Sequence, residues 1–194
     1  MKSNPTKCKE LIIRKKSCTE IFPVVAGIPQ TPSIVLLGVT FQEDSRFTIH
    51  VYEKLKKANK CLFILRSLRK EGYNQKEIDH LFTTLVLPNI TYAVSVYGAS
   101  KPELAKIEYF LRRCHKRKYI SKEIRVQELL EKQDRKLFSK VRQIEQHPLR
   151  NLLPKKKVNR YELRNKFSNF PKINTDRFKN SYINRLIFKY NLVL

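Results

Sequence analysis

The apolar positions of this chain change period once, near residue 46, dividing it into a strand-like start and a helical remainder. Cys8–Arg14 and Glu20–Ala26 are short runs rich in Ile, Val and Phe, and they predict strands. Gly27, Pro29 and Pro32 punctuate the link to a third predicted strand, Ile34–Phe41. Three strands cannot cover themselves, so they are expected to join a larger sheet or to fold back on the helices that follow. From there the spacing is helical. Val51, Leu55, Ala58, Leu62 and Leu65 recur at steps of three and four and predict a helix over Phe47–Lys70. Most of its lysines and arginines fall outside that stripe, and Gly72 supplies a stop. Asn74-x-x-Glu77 reads as a capping box opening a helix with Ile78, Leu81, Phe82 and Leu85, ending at Pro88. Ser100-x-x-Glu103 reads as a second box, with Pro102 tolerated in the first turn, and its helix should bury Leu104, Ile107, Phe110, Leu111 and Cys114. A further helix is predicted over Val126–Ile144, with Val126, Leu129, Leu130, Leu137, Phe138, Val141 and Ile144 on its apolar side. Residues 147–175, with three prolines and the run Lys155-Lys156-Lys157, read as a flexible basic linker. Phe178–Tyr190 closes the chain as an amphipathic helix. Residues 89–98 suit a strand by β-branched content and a buried helix equally well.

The expected fold class is therefore α+β, mostly α, with short antiparallel N-terminal strands, a helical bundle and a basic helical tail. A chain of 194 residues with 41% hydrophobic content can bury a core in one or two small domains. Charge changes the picture more. Forty-one Lys and Arg face 17 Asp and Glu, for a net charge of +24. Residues 1–45 carry 6 basic and 4 acidic side chains, residues 46–118 carry 16 and 6, and residues 119–194 carry 19 and 7. The positive field thus belongs to the helical part, and a chain this basic calls for a polyanion, nucleic acid or an acidic membrane surface. No apolar run approaches a membrane span, and the start lacks the apolar core of a signal peptide, so an intracellular protein with no membrane partner is expected, nuclear or cytoplasmic. Cys8, Cys18, Cys61 and Cys114 are widely spaced, as intracellular thiols are. Cys114 adjoins His115, but no second ligand pair completes a zinc set.

Catalytic signatures are sparse. There is no Gly-x-Ser-x-Gly elbow, Walker loop or His-Glu-x-x-His. Nucleotidyl transfer needs neighbouring carboxylates around two cations, whereas the four aspartates Asp44, Asp79, Asp134 and Asp176 are scattered along the chain.

Two short segments carry a family likeness. Asn4-Pro5-Thr6-Lys7-Cys8, followed by Leu37-Gly38-Val39, resembles the last two palm motifs of reverse transcriptases of LINE-type (non-LTR) retrotransposons. The resemblance continues through Phe47-x-x-His50, Lys57-Ala58-x-Lys60, Leu62-x-x-Leu65, Leu87-Pro88-x-Ile90-x-Tyr92 and Tyr97-Gly98, while Tyr92-Ala93 stands where family members usually have Tyr-Gly. It implies that residues 1–45 are the end of the palm, 46–118 a helical thumb, and 119–194 a basic extension, and it favours helix over 89–98. Lys7 would match the motif-D lysine, in use only beside a complete palm, and Leu37, Gly38 and Val39 the primer-grip strand. Read without the family, Lys7 is one basic residue in a turn, and Gly38 marks a bulge in a core strand. The aspartates of the family's Ala-Asp-Asp hairpin have no counterpart, so the chain is expected to be inactive alone, without a cofactor of its own, although the intact parent enzyme uses Mg2+. It reads as the back end of a polymerase, for which an upstream polymerase segment is a candidate partner.

The partner expected first is an RNA–DNA or DNA duplex held without regard to sequence. Arg112, Arg113, Lys116, Arg117 and Lys118 form the densest basic cluster, and Lys54, Lys57 and Arg69 follow as candidates. A lysine-rich face is commonly just solvated, and cations also suit a helix C-terminus. If roughly six to eight cations meet phosphates, the log–log salt slope of binding is about −5 to −7. Tyr92 and Tyr97 could stack on bases, although their spacing favours core packing. Two alternatives stay open: a self-standing basic RNA- or DNA-binding protein, and an inert remnant of a decayed mobile element.

Overall fold

The computed structural model describes residues 4–14, 17–153 and 171–190. The fold is α+β and mostly α, with one two-stranded antiparallel sheet near the start and helices after it. The chain divides into two compact units, 1–90 and 91–194.

In the first unit the N-terminal stretch is mostly irregular. Cys8–Arg14 was expected as a strand, but only Glu10 forms a bridge, parallel to Gln30, its N–H donating to the Pro29 carbonyl at 3.0 Å. Glu20–Ala26 is not a strand either, and Ile21 is 95% exposed. β-branched composition alone does not make a strand when no neighbour takes its backbone hydrogen bonds. The predicted single strand Ile34–Phe41 is instead a hairpin of β1 (Ser33–Leu36) and β2 (Val39–Gln42), paired from Ser33↔Gln42 to Leu36↔Val39. Leu37 and Gly38, at φ 49° and 73°, form its two-residue turn. Positive φ at both positions matches the twist of the flanking strands, and it costs nothing at Gly but strains Leu.

The hairpin is anchored on α1 (Thr48–Lys70). Val39 and Thr40 are buried, the Thr40 N–H donates to His50 Nδ1 at 3.2 Å, and its hydroxyl donates to Glu53 Oε2 at 2.9 Å. Phe41 and Phe47 meet edge to face at 5.6 Å. Val51, Ala58, Leu62 and Leu65 are buried as the spacing predicts, Leu55 is half-buried, and His50 extends the stripe. The Asn74–Glu77 capping box forms in both directions: Glu77 N–H to Asn74 Oδ1 at 3.1 Å and Asn74 N–H to Glu77 Oε2 at 2.8 Å. It opens α2 (Gln75–Leu81), which runs through a π-helical turn (Phe82–Val86) into α3 (Leu87–Thr91). The helix therefore passes Pro88 rather than ending there. Proline has no N–H for the Thr84 carbonyl and its ring crowds that oxygen; the turn widens so that the Leu87 N–H reaches the Phe82 carbonyl. Phe82, Val86 and Ile90 complete the core on this side.

Among the described residues of the second unit the regular elements are all helices. Residues 89–98 follow the helical expectation, but with a break: Ala93 is left-handed (φ 56°), and α4 (Val94–Tyr97) ends on a left-handed Gly98. In α5 (Lys101–Lys116) the buried Glu103 carboxylate accepts the Ser100 N–H at 2.7 Å, as the second capping box requires. Ile107, Phe110, Leu111 and Cys114 are buried, and Leu104 is half-buried. In α6 (Val126–Gln143), Val126, Leu130 and Val141 are buried, whereas Ile144 lies beyond the helix and is exposed. Glu108 of α5 accepts the Val126 N–H at 2.8 Å, satisfying an open donor of the first turn of α6. Residues 147–153, expected within the linker, form an ordered 3-10 turn (Pro148–Leu152) anchored by buried Leu153. The rest of that expectation, including Lys155-Lys156-Lys157, lies mostly outside the described residues. The closing helix is two pieces, α7 (Asp176–Asn180) and α8 (Tyr182–Tyr190), parted at Ser181.

Candidate nucleic-acid interface

The basic cluster sits at the C-terminal end of α5. The Lys118 N–H donates to the His115 carbonyl at 2.9 Å and the Tyr119 N–H to the Cys114 carbonyl at 3.0 Å, with Lys118 left-handed at φ 58°. This is a Schellman cap, with Tyr119 and Cys114 both buried. It turns the chain sharply, so Arg112, Lys116, Arg117 and Lys118 all stand exposed around one helix end. Arg113 is half-buried, its guanidinium 5.6 Å from the Phe110 ring centre. Four exposed cations at a negative helix end form a compact anion-seeking surface.

Cys114 of the Cys114–His115 pair is buried. Burial pushes the Cys114 thiol up to about 12, against the opposing pull of Arg113 and Arg117. His115 Nε2 lies 3.1 Å from the Ser121 carbonyl. Among the described residues no three His, Cys, Asp or Glu side chains gather. Asp44 bonds the Arg46 N–H at 2.8 Å, Asp79 accepts from Gln75 at 2.7 Å, and Asp134 is paired inside the second unit. These three aspartates thus bond to separate partners.

In the first unit, Lys54 and Lys57 lie one turn apart on α1. Lys57 is exposed, while Lys54 is half-buried, and its pKa is lowered by burial first and by Lys57 second, with Glu53 opposing. Arg69 is half-buried, with Nη2 3.4 Å from Gln75 Oε1. Lys7 is exposed at the end of a 3-10 turn (Pro5–Lys7), its N–H bonded to the Asn4 carbonyl at 3.1 Å. Leu37 and Gly38, expected within a strand, are the exposed tip of the hairpin, Leu37 at 84%, while Val39 is buried beside them. Tyr97 is half-buried, and burial, then the Glu103 carboxylate, raise its pKa above the ordinary value. Tyr92, which spacing assigned to the core, is exposed.

Two features escaped the sequence. The first is the face of α1 opposite the core, where Tyr52 and Phe63 are 66% and 67% exposed. The signal was present: a helix with this many apolar residues cannot bury them all on one stripe. The second is Arg185 of α8, which meets Asp134 (1% exposed) through Nε–Oδ2 at 2.8 Å and Nη2–Oδ1 at 2.7 Å. It also donates to the Asn180 carbonyl at 2.8 Å and to the Ser95 carbonyl. An Asp three and four residues from Leu137 and Leu130 was the available sign that a cation must enter this core. Beside the pair lies a cavity of about 330 Å3 lined by Val94, Leu104, Leu130 and Phe188, with Lys101 and Lys179 also lining it.

No family model, no curated protein sequence and no solved structure matches the chain. Among the described residues no helix is long and apolar enough to cross a membrane.

Proposed function

We propose that this chain is part of a LINE-type reverse transcriptase, the thumb with the end of the palm, and that it grips a template–primer duplex without reading its sequence. The observation that carries the reading is the cluster Arg112, Lys116, Arg117 and Lys118, held exposed by a buried cap. Phosphates need charge and position rather than hydrogen-bond readout, and this surface offers both. The order of the motifs from Asn4 to Gly98 supports the family assignment. The exposed Leu37-Gly38 tip offers backbone to a primer end, and Lys7 acquires a role only beside a complete palm. With its carboxylates dispersed, the chain contributes grip, not phosphoryl transfer. The test is binding of an RNA–DNA duplex across a salt series. Arg112→Gln with Lys116→Gln and Arg117→Gln should flatten the slope by about 2.7, at 0.9 per lost phosphate contact. Salt-insensitive binding, or none, would sink the proposal.

A second reading, a self-standing basic RNA- or DNA-binding protein, is favoured by one observation. The hairpin buries Val39 and Thr40 beside α1 and bonds to His50 and Glu53, so it is anchored within its own unit. Cooperative unfolding of the isolated chain would favour this reading.

A further inference from the structure

We infer that the outer face of α1, in the first unit, is a binding surface for single-stranded nucleic acid, whereas the proposed duplex-gripping cluster belongs to the second unit. Ile49, Tyr52, Lys56, Lys60 and Phe63 fall within a sector of about 80° opposite the buried stripe. All five are exposed, so α1 carries a second apolar stripe that its own unit leaves uncovered. Rings left this exposed are available to a partner. The two rings are about 16 Å apart along the axis, at 1.5 Å per residue, and Lys56 and Lys60 stand between them. Arg66 and Lys70 continue the positive charge beyond Phe63. The helix has one acid, Glu53, and the Thr40 hydroxyl donates to it.

Two rings flanking a pair of cations offer both stacking faces and charge to a partner built of flat bases and phosphates. Bases in a duplex are already stacked and offer no face, whereas those of a single strand stack on exposed aromatic side chains. A membrane-surface helix segregates its charges from its apolar face. Here Lys56 and Lys60 lie within the apolar sector, which favours the nucleic-acid partner.

The test uses the full chain with an oligothymidylate of about 20 nucleotides, a length spanning several stacking sites, and a duplex of equal length. Tyr52→Ala with Phe63→Ala should weaken single-strand binding at least tenfold and duplex binding less than twofold. Tyr52→Phe should retain binding because it keeps the ring. Lys56→Gln with Lys60→Gln should reduce the single-strand salt slope by about 1.4, at 0.7 per phosphate. These side chains are exposed, so helicity should be unchanged, and circular dichroism checks it. Equal loss on both ligands, or no loss on either, overturns the inference. So does a result in which the ring variant abolishes binding to phosphatidylserine vesicles while the oligothymidylate still binds. Ring-dependent single-strand binding without any duplex binding would uphold this surface and remove the thumb reading.

Discussion

Removing Arg185 should destabilise the second unit more than the loss of any exposed cation. Its guanidinium makes two short bonds to Asp134 and donates to the carbonyls of Asn180 and Ser95. Arg185→Met leaves a carboxylate 1% exposed without its counter-charge. Breaking one side of such a pair costs about 3–5 kcal/mol. At about 2–4 °C per kcal/mol for a chain of this size, Tm should fall by roughly 6–20 °C. Asp134→Leu should cost less, about 1–3 kcal/mol, because Arg185 is partly exposed and keeps two carbonyl acceptors. The double variant Asp134→Leu/Arg185→Met has no stranded charge and loses only the two carbonyl bonds, about 2 kcal/mol in all. It should therefore be more stable than Arg185→Met alone, with a coupling of at least about 2 kcal/mol. Thermal and denaturant unfolding followed by far-ultraviolet circular dichroism measures each corner of the cycle. Hydrogen exchange at α8 amides locates the loss. Additive single effects, or an Arg185→Met cost below about 1 kcal/mol, would refute the pinning role, since an exposed pair contributes only that much.

Further outcomes follow from backbone strain and from buried ionisable groups. Ala93→Gly and Leu37→Asn each place a residue tolerant of positive φ where the backbone demands it, and each should gain about 0.5–1 kcal/mol in denaturant titration, after the unfolded-state entropy of Gly is deducted. Gly98→Ala should cost about 1–2 kcal/mol, because the added methyl combines a φ of +68° with an approach of 3.1 Å to the Asn180 carbonyl. Tyr182 has a buried hydroxyl with no hydrogen-bond partner among the described residues, so Tyr182→Phe should be neutral or stabilising by about 1 kcal/mol. Alkaline stability should show the raised groups. Burial lifts Cys114 and Tyr182 to about 12 from 9.0 and 10.0, with Asp134 adding to the Tyr182 shift. Because the fold favours their neutral forms, stability is intact below about pH 9 and falls as pH rises towards 12. Cys114→Ala and Tyr182→Phe should each make that decline shallower, and an unchanged slope would argue against burial as the cause.

The sequence by itself determined what depends on neighbours within a turn or two. Periodicity marked α1, α5 and α6 to within a residue or so at most ends, because burying one stripe every 3.6 residues is a local demand. The two capping boxes were legible for the same reason: Asn74 with Glu77, and Ser100 with Glu103, satisfy donors three residues away. The charge distribution, and with it the basic end of α5, could likewise be read directly. What failed depended on distant partners. Whether Cys8–Arg14 and Glu20–Ala26 become strands is decided by whether another strand takes their hydrogen bonds in a continuous ladder, and Glu10 forms only an isolated bridge with Gln30. Pro88 reads as a helix end until packing of Phe82, Val86 and Ile90 makes a widened turn cheaper than unravelling. That α1 must leave some apolar side chains outside was legible, but that Tyr52 and Phe63 are among them was decided by which stripe the core took. Asp134 and Arg185, 51 positions apart, illustrate the limit most clearly. Each is a charged residue of an amphipathic helix in sequence, and only the packing of α8 on α4 brings Arg185 to the buried Asp134 of α6 and makes each necessary to the other.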